Sequence, residues 1–512
     1  MGTPEHSPHT LAPGRIGAAA VTFFALAATA PLLVLTGVVP AAYARGGGPL
    51  VPLTFVAVAV VLVLFSTGYA AMVHRAPYAG AMYAYVSRGL GRPAGLGAAW
   101  LALAAYHAVQ FGLYGIAGAA AAPLLRTWFH VEAQWWMVAL ACWLLVALCG
   151  TIRVEIASGL LALLVMAEIA ATAGFAAANV IQPAGGGFST GSILPGDPGA
   201  IDRPALGVLL AVAVLAFVGF ETTGTYAEET MRPRREAGYA TYATVVIFGL
   251  LLAFASWSMS AGAGPSQIAA LARGRGSEVV FDLAAARLAP WAVTIGRLLL
   301  IGGLLAGMLA LHNTITRYLY AMARENVLPA ALARTSRRTF VPRTASLTQS
   351  AVAAVAIAAA YAAGVRTPGV LAHQLTVAGG LGVLVLLLVT SLATLLHLNR
   401  VPNGEGTWGR FLAPILATVA LGTLGYLAFW NIPDLLGVPP DSALVWLVPA
   451  VIAASAAVGL VHGAALRGAK PEIYAGIGQA GRPVVVTPQS PTTPKVPRQR
   501  EPGAHRPERV DR

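Results

Sequence analysis

From about residue 16 to residue 466 the sequence is a succession of apolar runs of about 20 residues, separated by short charged loops. A run of that length crosses a hydrocarbon core at about 1.5 Å per residue. In lipid every backbone N–H and C=O must find its partner inside the protein, so such runs fold as helices. Twelve spans are expected, at roughly 16–42, 50–73, 93–120, 134–150, 154–179, 205–227, 238–260, 291–321, 344–363, 371–398, 411–430 and 443–466. Composition agrees, because 57% of the 512 residues are hydrophobic and only 10% are charged, too little charge for a soluble domain of this size. The expected fold class is an all-α polytopic membrane protein with 12 transmembrane helices, in which residues 16–466 form one domain between an N-terminal segment, 1–15, and a tail, 467–512. No small-residue cleavage pattern ends the first apolar run, so a removed signal peptide is not expected.

The net charge of +13 invites a nucleic-acid reading, but its distribution speaks for membrane topology. With the N-terminus in the cytoplasm, fifteen arginines ahead of the tail fall on the inner side, against seven in the outer loops: Arg45, Arg126, Arg203, Arg273, Arg275, Arg287 and Arg366. By the positive-inside rule both termini are cytoplasmic, and the basic surface faces anionic lipid. No nucleic-acid partner is expected. The tail ends in TPQSPTTPKVPRQREPGAHRPERVDR, too rich in proline and too poor in apolar residues to pack, and is expected to be disordered. The outer segment 264–290 mixes apolar and charged residues at helical spacing, as an interfacial or gate helix would, and equally a plain surface helix. Cys142 and Cys149 lie near one face of an apolar run and read as buried thiols rather than a disulfide or metal site.

Small or helix-breaking residues inside a span are informative where they coincide with polar ones. The first span reads IGAAAVTFFALAATAPLLVLTGVVP, with Thr29 and Pro31 near its middle. Pro31 has no N–H and disrupts the bond to the residue four before it. Two readings are open, a simple kink or an unwound Ala28–Thr29–Ala30 stretch whose N–H groups face a midplane cavity. The sixth span has a similar irregularity at Phe217-Val218-Gly219-Phe220-Glu221. Breaks five spans apart fit two five-helix repeats, 16–179 and 205–398, the second inverted because five is odd, with 411–466 as two further helices. Paired interruptions of this kind mark the binding site of a secondary transporter.

An ionised carboxylate in hydrocarbon costs about 3 kcal/mol on insertion scales, so Glu221 is either protonated or faced by polar groups. It reads as a coupling group that gains and loses a proton as helices move, or as a permanently neutral latch. Glu168 in the fifth span is a second intramembrane acid, for coupling or for tying helices. Tyr106, Gln110 and Tyr114 recur every four residues on one face of the third span, with His107 beside them. They line a substrate path or bond between helices. The eighth span carries His312, Asn313 and Arg317, the last close enough to the inner edge to snorkel.

Three stretches in order, HRAPYAGAMYAYVSRGLGRPAGLGAAW, GFETTGTYAEETMRPRREAGYATY and NTITRYLYAMARENVLP, resemble the amino acid-polyamine-organocation (APC) permease family, bacterial amino acid permeases in particular, over about residues 16–466. The resemblance implies a broken-helix transporter fold of the LeuT type, a 5+5 inverted repeat plus two helices, with substrate between the first, third, sixth, eighth and tenth spans. It implies that Ala28, Thr29, Ala30 and Pro31 meet a substrate carboxylate. Phe217, Gly219, Phe220 and Glu221 would receive the amine or close over it, with Phe217 as an aromatic gate, and Gln110, Tyr114 and Asn313 would be further substrate contacts. Family members often carry Gly-x-Gly at the first break, where this chain has ATAPLL, and that departure keeps a decarboxylated amine or another organic cation open as substrate. No basic residue stands in the fifth span where some proton-coupled relatives use one in place of sodium.

The function expected is secondary active transport of an amino acid or related small amine across the cytoplasmic membrane of a bacterium, by symport or exchange. Protons are the expected coupling ion, with Na+ open, and Glu221, Glu168 and Phe217 are the candidate coupling or gating residues. A polyamine or organic-cation transporter, or a non-transporting solute sensor of the same fold, are the alternatives. The sequence has no convergent set of His and Asp of the kind a membrane enzyme needs and no GxxxxGK[ST] phosphate loop. Enzyme activity, a cofactor, a bound metal and an ATPase subunit are therefore not expected, and the partners expected are the substrate, the coupling ion and membrane lipids.

Overall fold

The computed structural model of the protein describes residues 11–187 and 203–480. Among these residues, eleven helices are long and apolar enough to cross a membrane: Ala18–Ala44, Leu50–Arg75, Arg92–Phe129, Val154–Ile181, Pro204–Glu229, Glu236–Ala263, Pro290–Arg324, Arg343–Ala362, Pro368–Arg400, Trp408–Trp430 and Leu444–Ala469. A shorter apolar helix of 15 residues, Trp135–Cys149, lies between the third and fifth expected spans. The twelve are numbered in chain order below, with Trp135–Cys149 as the fourth. The protein is an all-α polytopic membrane protein. Its rim exposes residues such as Leu163 and Val461, 70% and 69% accessible, where the neighbouring solvent is hydrocarbon and apolar side chains cost nothing.

The third span packs along the eighth, tenth and twelfth, and small residues let the backbones meet. A Cβ added at Gly379 of the tenth span would lie 2.5 Å from the Ala105 carbonyl oxygen, so close approach, rather than side-chain interdigitation, joins these helices.

Two spans are interrupted. In the first, the helix Ala18–Thr29 ends at Ala30, which is left-handed at φ 48° and ψ 73°. Pro31 then opens a second helix, a position where its missing N–H is no loss, and this helix passes through one wide turn, Val34–Val38, to end at Ala44. In the sixth span, the helix Arg203–Ala216 gives way to a tighter 3₁₀ helix, Phe220–Glu229. Gly219 turns the chain between them at φ 116°, a conformation open to glycine alone. It is needed for space too, since an added Cβ would lie 2.7 Å from the carbonyl carbon of Ala28. The two breaks thus touch each other.

Three regions differ from the sequence expectation or complete it. The stretch after the second span contains an additional helix, Met82–Leu90, too short to stand out in a search for spans. The segment 264–290 folds as two short helices, Ile268–Arg275 and Val279–Ala285. They lie against the Ala44 end of the first span, where Arg273 donates to the Ala44 carbonyl at 3.3 Å. The hydrogen bond from Arg275 holds the Asp282 carboxyl below the usual carboxylate range.

The third region is a correction: residues 467–480, assigned above to a disordered tail, are ordered. The twelfth span runs to Ala469, a helix Pro471–Gly476 follows, and Ile477 is buried. The cause lies far away in sequence. Glu325, just past the eighth span, accepts N–H bonds from Gly478 (3.0 Å) and Ala480 (2.8 Å) and a hydroxyl bond from Tyr83. Arg92 donates to the Ala475 carbonyl and covers the Tyr474 ring. Burial raises the Glu325 carboxyl above its ordinary range, against the pull of those three donors. The proline-rich stretch quoted above lies outside the described residues.

Removing this acceptor strands two buried donors, Tyr83 and Gly478, each at a cost of about 1–3 kcal/mol, and the half-buried N–H of Ala480. Glu325→Ala is expected to speed hydrogen exchange at the amides of Gly478 and Ala480 without moving the membrane spans. Parental protection there would show that the segment is held by other contacts.

Candidate functional site

A cavity of about 220 Å³ opens beside the first-span break and extends toward the end of the bundle that carries Arg45. Its walls come from Ala28, Thr29, Ala30, Leu33 and Val34 of the first span, Val109, Leu113 and Ile116 of the third, Leu215, Ala216 and Val218 of the sixth, and Thr376 and Val377 of the tenth. The lining is mostly aliphatic. Arg45, which also borders it, is exposed and donates to the carbonyls of Ala41 (3.1 Å) and Asp434 (2.7 Å). His373 bonds through Nε2 to the Leu435 carbonyl at 2.9 Å.

The backbone at each break is satisfied in a similar way. In the first, the Ala30 N–H turns back to the carbonyls of Leu26 and Ala27, Pro31 has no donor, and the Leu32 N–H is taken by Glu168 Oε2 at 3.2 Å. In the sixth, the N–H groups of Phe217, Val218, Phe220 and Thr222 bond to nearby carbonyls, and that of Gly219 goes to Glu221 Oε2 at 2.9 Å. The other oxygen of Glu221 accepts from the Tyr106 hydroxyl at 2.9 Å, and its backbone carbonyl accepts from Tyr69 at 2.7 Å. Both glutamates are buried, 1% and 0% exposed. Glu168 packs directly on Gly303 of the eighth span, and its Oε1 has no hydrogen-bond partner among the described residues.

At the end away from Arg45 the bundle is shut. Arg317, read above as free to snorkel, is instead buried at 3% exposure and donates through Nε to Glu229 Oε1 at 2.7 Å. Its guanidinium lies 4.1 Å from the centre of the Tyr226 ring, which stacks on Phe24. Beyond it, Arg324 forks onto Glu228, which also accepts the Ala79 N–H. The chain ahead of the first span adds a backbone clasp, with Arg15 and Ile16 donating to the Glu229 carbonyl and Met231 donating to Ile16. A buried arginine needs a paired acid, and the sequence signal for it was the acidic pair in AEETMRP together with two arginines spaced two turns apart on one face of the eighth span.

The family model described as "Amino acid permease" matches residues 19–456, a range that takes in both breaks, the cavity and the Arg317–Glu229 pair. The chain belongs to the amino acid permease family. It is a multi-pass membrane permease, which bears out the APC resemblance at the level of the family. A search of the curated proteins finds no match.

Around the cavity of the permease, the residues named from sequence divide. Ala28, Thr29 and Ala30 line it, while Pro31 is buried and does not. At the sixth-span break the lining residue among 217–221 is Val218; Gly219, Phe220 and Glu221 serve the break itself, and Phe217 faces the seventh span, edge-on to Phe248 at 5.1 Å. Gln110 is turned to the eighth and ninth spans, donating to the Met308 carbonyl at 3.2 Å and accepting from Gln349. Tyr114 borders a separate hollow with Trp135 and Ala372. Asn313 is buried, with its carbonyl accepting from Arg317. His107 bonds to the Leu103 carbonyl of its own helix, and His312 pairs with Ser346 at 2.9 Å. Cys142 is buried and Cys149 half-buried, both as free thiols. Among the described residues no three His, Cys, Asp or Glu side chains come together as a metal site.

The Arg317–Glu229 contact sets a stability prediction for the permease. Breaking a buried pair by removing one partner costs about 3–5 kcal/mol, while replacing both with apolar groups costs far less. Arg317→Leu alone is expected to lower the unfolding midpoint sharply, and adding Glu229→Leu to recover most of the loss. A double variant no more stable than the single one would show that the two charges do not act as a pair.

Proposed function

We propose that the permease is a secondary active transporter that carries an amino acid or a related small amine across the cytoplasmic membrane by alternating access. The observation that carries this reading is the cavity at two touching helix breaks, bordered by Arg45 at one end and sealed by the Arg317–Glu229 layer at the other. Broken helices bring helix-end dipoles to the middle of a membrane, where a polar solute would otherwise find nothing to bind. In this reading the first five spans and the next five are inverted repeats, and the eleventh and twelfth are additions. The arginine bias of the loops supports cytoplasmic termini, which makes the Arg45 end external and the state outward-open. Rocking the first and sixth spans against the third and eighth would part Arg317 from Glu229 and open the opposite path.

Proton coupling is assigned to Glu221. Its two oxygens accept bonds from the Gly219 N–H and the Tyr106 hydroxyl, the pattern suited to an ionised carboxylate, which has acceptors only. A proton on one oxygen turns an acceptor into a donor and alters the tie between the sixth and third spans. The broken-helix cavity also fits an organic cation as cargo.

The test is uptake of labelled amino acids and of their decarboxylated amines into sealed proteoliposomes across a pH series. Glu221→Gln keeps size and hydrogen bonding but removes titration. It is expected to insert and bind substrate, to transport more slowly, and to lose most of the pH dependence. Parental rate with the parental pH profile would make Glu221 a helix latch and remove the proton from the mechanism.

A further inference from the structure

We infer that the cavity takes an apolar monoamine that has no carboxylate. This rests on the transport reading above and names the substrate class of the same site.

A carboxylate is held at a broken helix by unpaired N–H groups at the positive end of the second half-helix. Here the protein's own acids already sit there. Pro31 opens that half-helix without a donor, and the next N–H, at Leu32, is committed to Glu168. The Gly219 N–H of the sixth span is likewise committed to Glu221. A substrate carboxylate that reached for either of these N–H groups would have to displace one of these bonds and crowd a buried carboxyl group.

No cation in the lining compensates. The cavity has no lysine, and its one arginine, Arg45, is spent on two backbone carbonyls at an exposed position, where solvent and salt screen it. The groups nearest the breaks favour positive charge instead. The helices Ala18–Thr29 and Arg203–Ala216 both end at the cavity with their C-terminal, negative poles, and the two glutamates stand behind them. Thr29 uses its hydroxyl proton on the Leu26 carbonyl at 2.8 Å, which leaves its oxygen as an acceptor for an ammonium group.

The rest of the substrate is set by the walls. Leu33, Val34, Leu113, Leu215 and Val377 are aliphatic, so the body of the amine is apolar. A diamine is excluded by the same layout, since its second ammonium would lie toward Arg45 with no acid in the lining to receive it.

The test uses matched probes on the full-length protein: leucine against isoamylamine, phenylalanine against phenethylamine, and cadaverine as the diamine. Binding is read from the rise in melting temperature, because a ligand of the native state stabilises it by mass action, and uptake is read in proteoliposomes. The monoamines are expected to act at concentrations at least about tenfold below those of the matching amino acids and of cadaverine. Leucine or phenylalanine acting at equal or lower concentration would overturn the inference while leaving the transport reading intact. Uptake of neither member of either pair would overturn both.

Glu168→Ala frees the Leu32 N–H and removes the acidic group that holds it, and is expected to shift the amine-to-acid ratio toward the amino acid by about tenfold or more. Glu168→Gln keeps an acceptor for Leu32, guards against a misfolded alanine variant, and is expected to shift the ratio in the same direction through loss of the acidic group alone. An unchanged ratio in a variant with a normal melting profile would overturn the role given to Glu168.

Discussion

A backbone N–H inside a membrane must find an acceptor, and both interrupted helices of this permease meet that demand with a glutamate. Glu168 reaches the Leu32 N–H from the fifth span, and Glu221 reaches the Gly219 N–H from two residues along its own span. Leaving such groups unpaired in hydrocarbon costs several kcal/mol each, so the breaks and the acids stand or fall together. Their placement fixes the shape of the site as well. With the carboxylates behind the breaks, the side facing the cavity is left to Ala28, Thr29, Ala30 and Val218.

The two ends of the cavity are built from different interactions. Toward Arg45 there is an aliphatic wall, and the short helices Ile268–Arg275 and Val279–Ala285 lie against the Ala44 end of the first span. Toward Arg324 there is a stack of ion pairs and rings, Arg317 with Glu229 and Tyr226, then Arg324 with Glu228. Such a layer is suited to a gate, because the bonds are strong when aligned and each charge is one or two turns from the bundle end when they part. Glu325, one residue past Arg324, binds the amides of Gly478 and Ala480, so the end of the eighth span holds both the sealed end and the C-terminal segment.

Much of this architecture was legible in the sequence. Runs of hydrophobic residues located the eleven membrane-length helices and the shorter Trp135–Cys149, because the bilayer leaves the backbone few other choices, and Pro31 and Gly219 marked the breaks through their own backbone chemistry. What stayed hidden were partnerships across long separations. Nothing near Glu168 in sequence points to Leu32, nor does anything near Arg317 point to Glu229. Glu325 was unremarked because its partners lie some 150 residues away, in a segment whose later part reads as disordered. The facing of single residues at a break was equally out of reach. Helical phase is lost there, which is why Val218 rather than Phe217 meets the cavity. Gln110 and Tyr114 do share a helical face as the spacing predicts, but that face turns to neighbouring helices.

The central claim is that the cavity at the breaks is reached from the Arg45 face and sealed from the other by the Arg317–Glu229 layer. Membrane-impermeant thiol labelling tests it most directly, in a chain with Cys142 and Cys149 replaced by alanine and a single Val38→Cys on the cavity wall. The account predicts fast labelling from the face that carries Arg45 and slow labelling from the face that carries Arg324, with Glu229→Gln making the second face reactive as well. Labelling from the Arg324 face alone, or at equal rates from both faces of the parent, would contradict it.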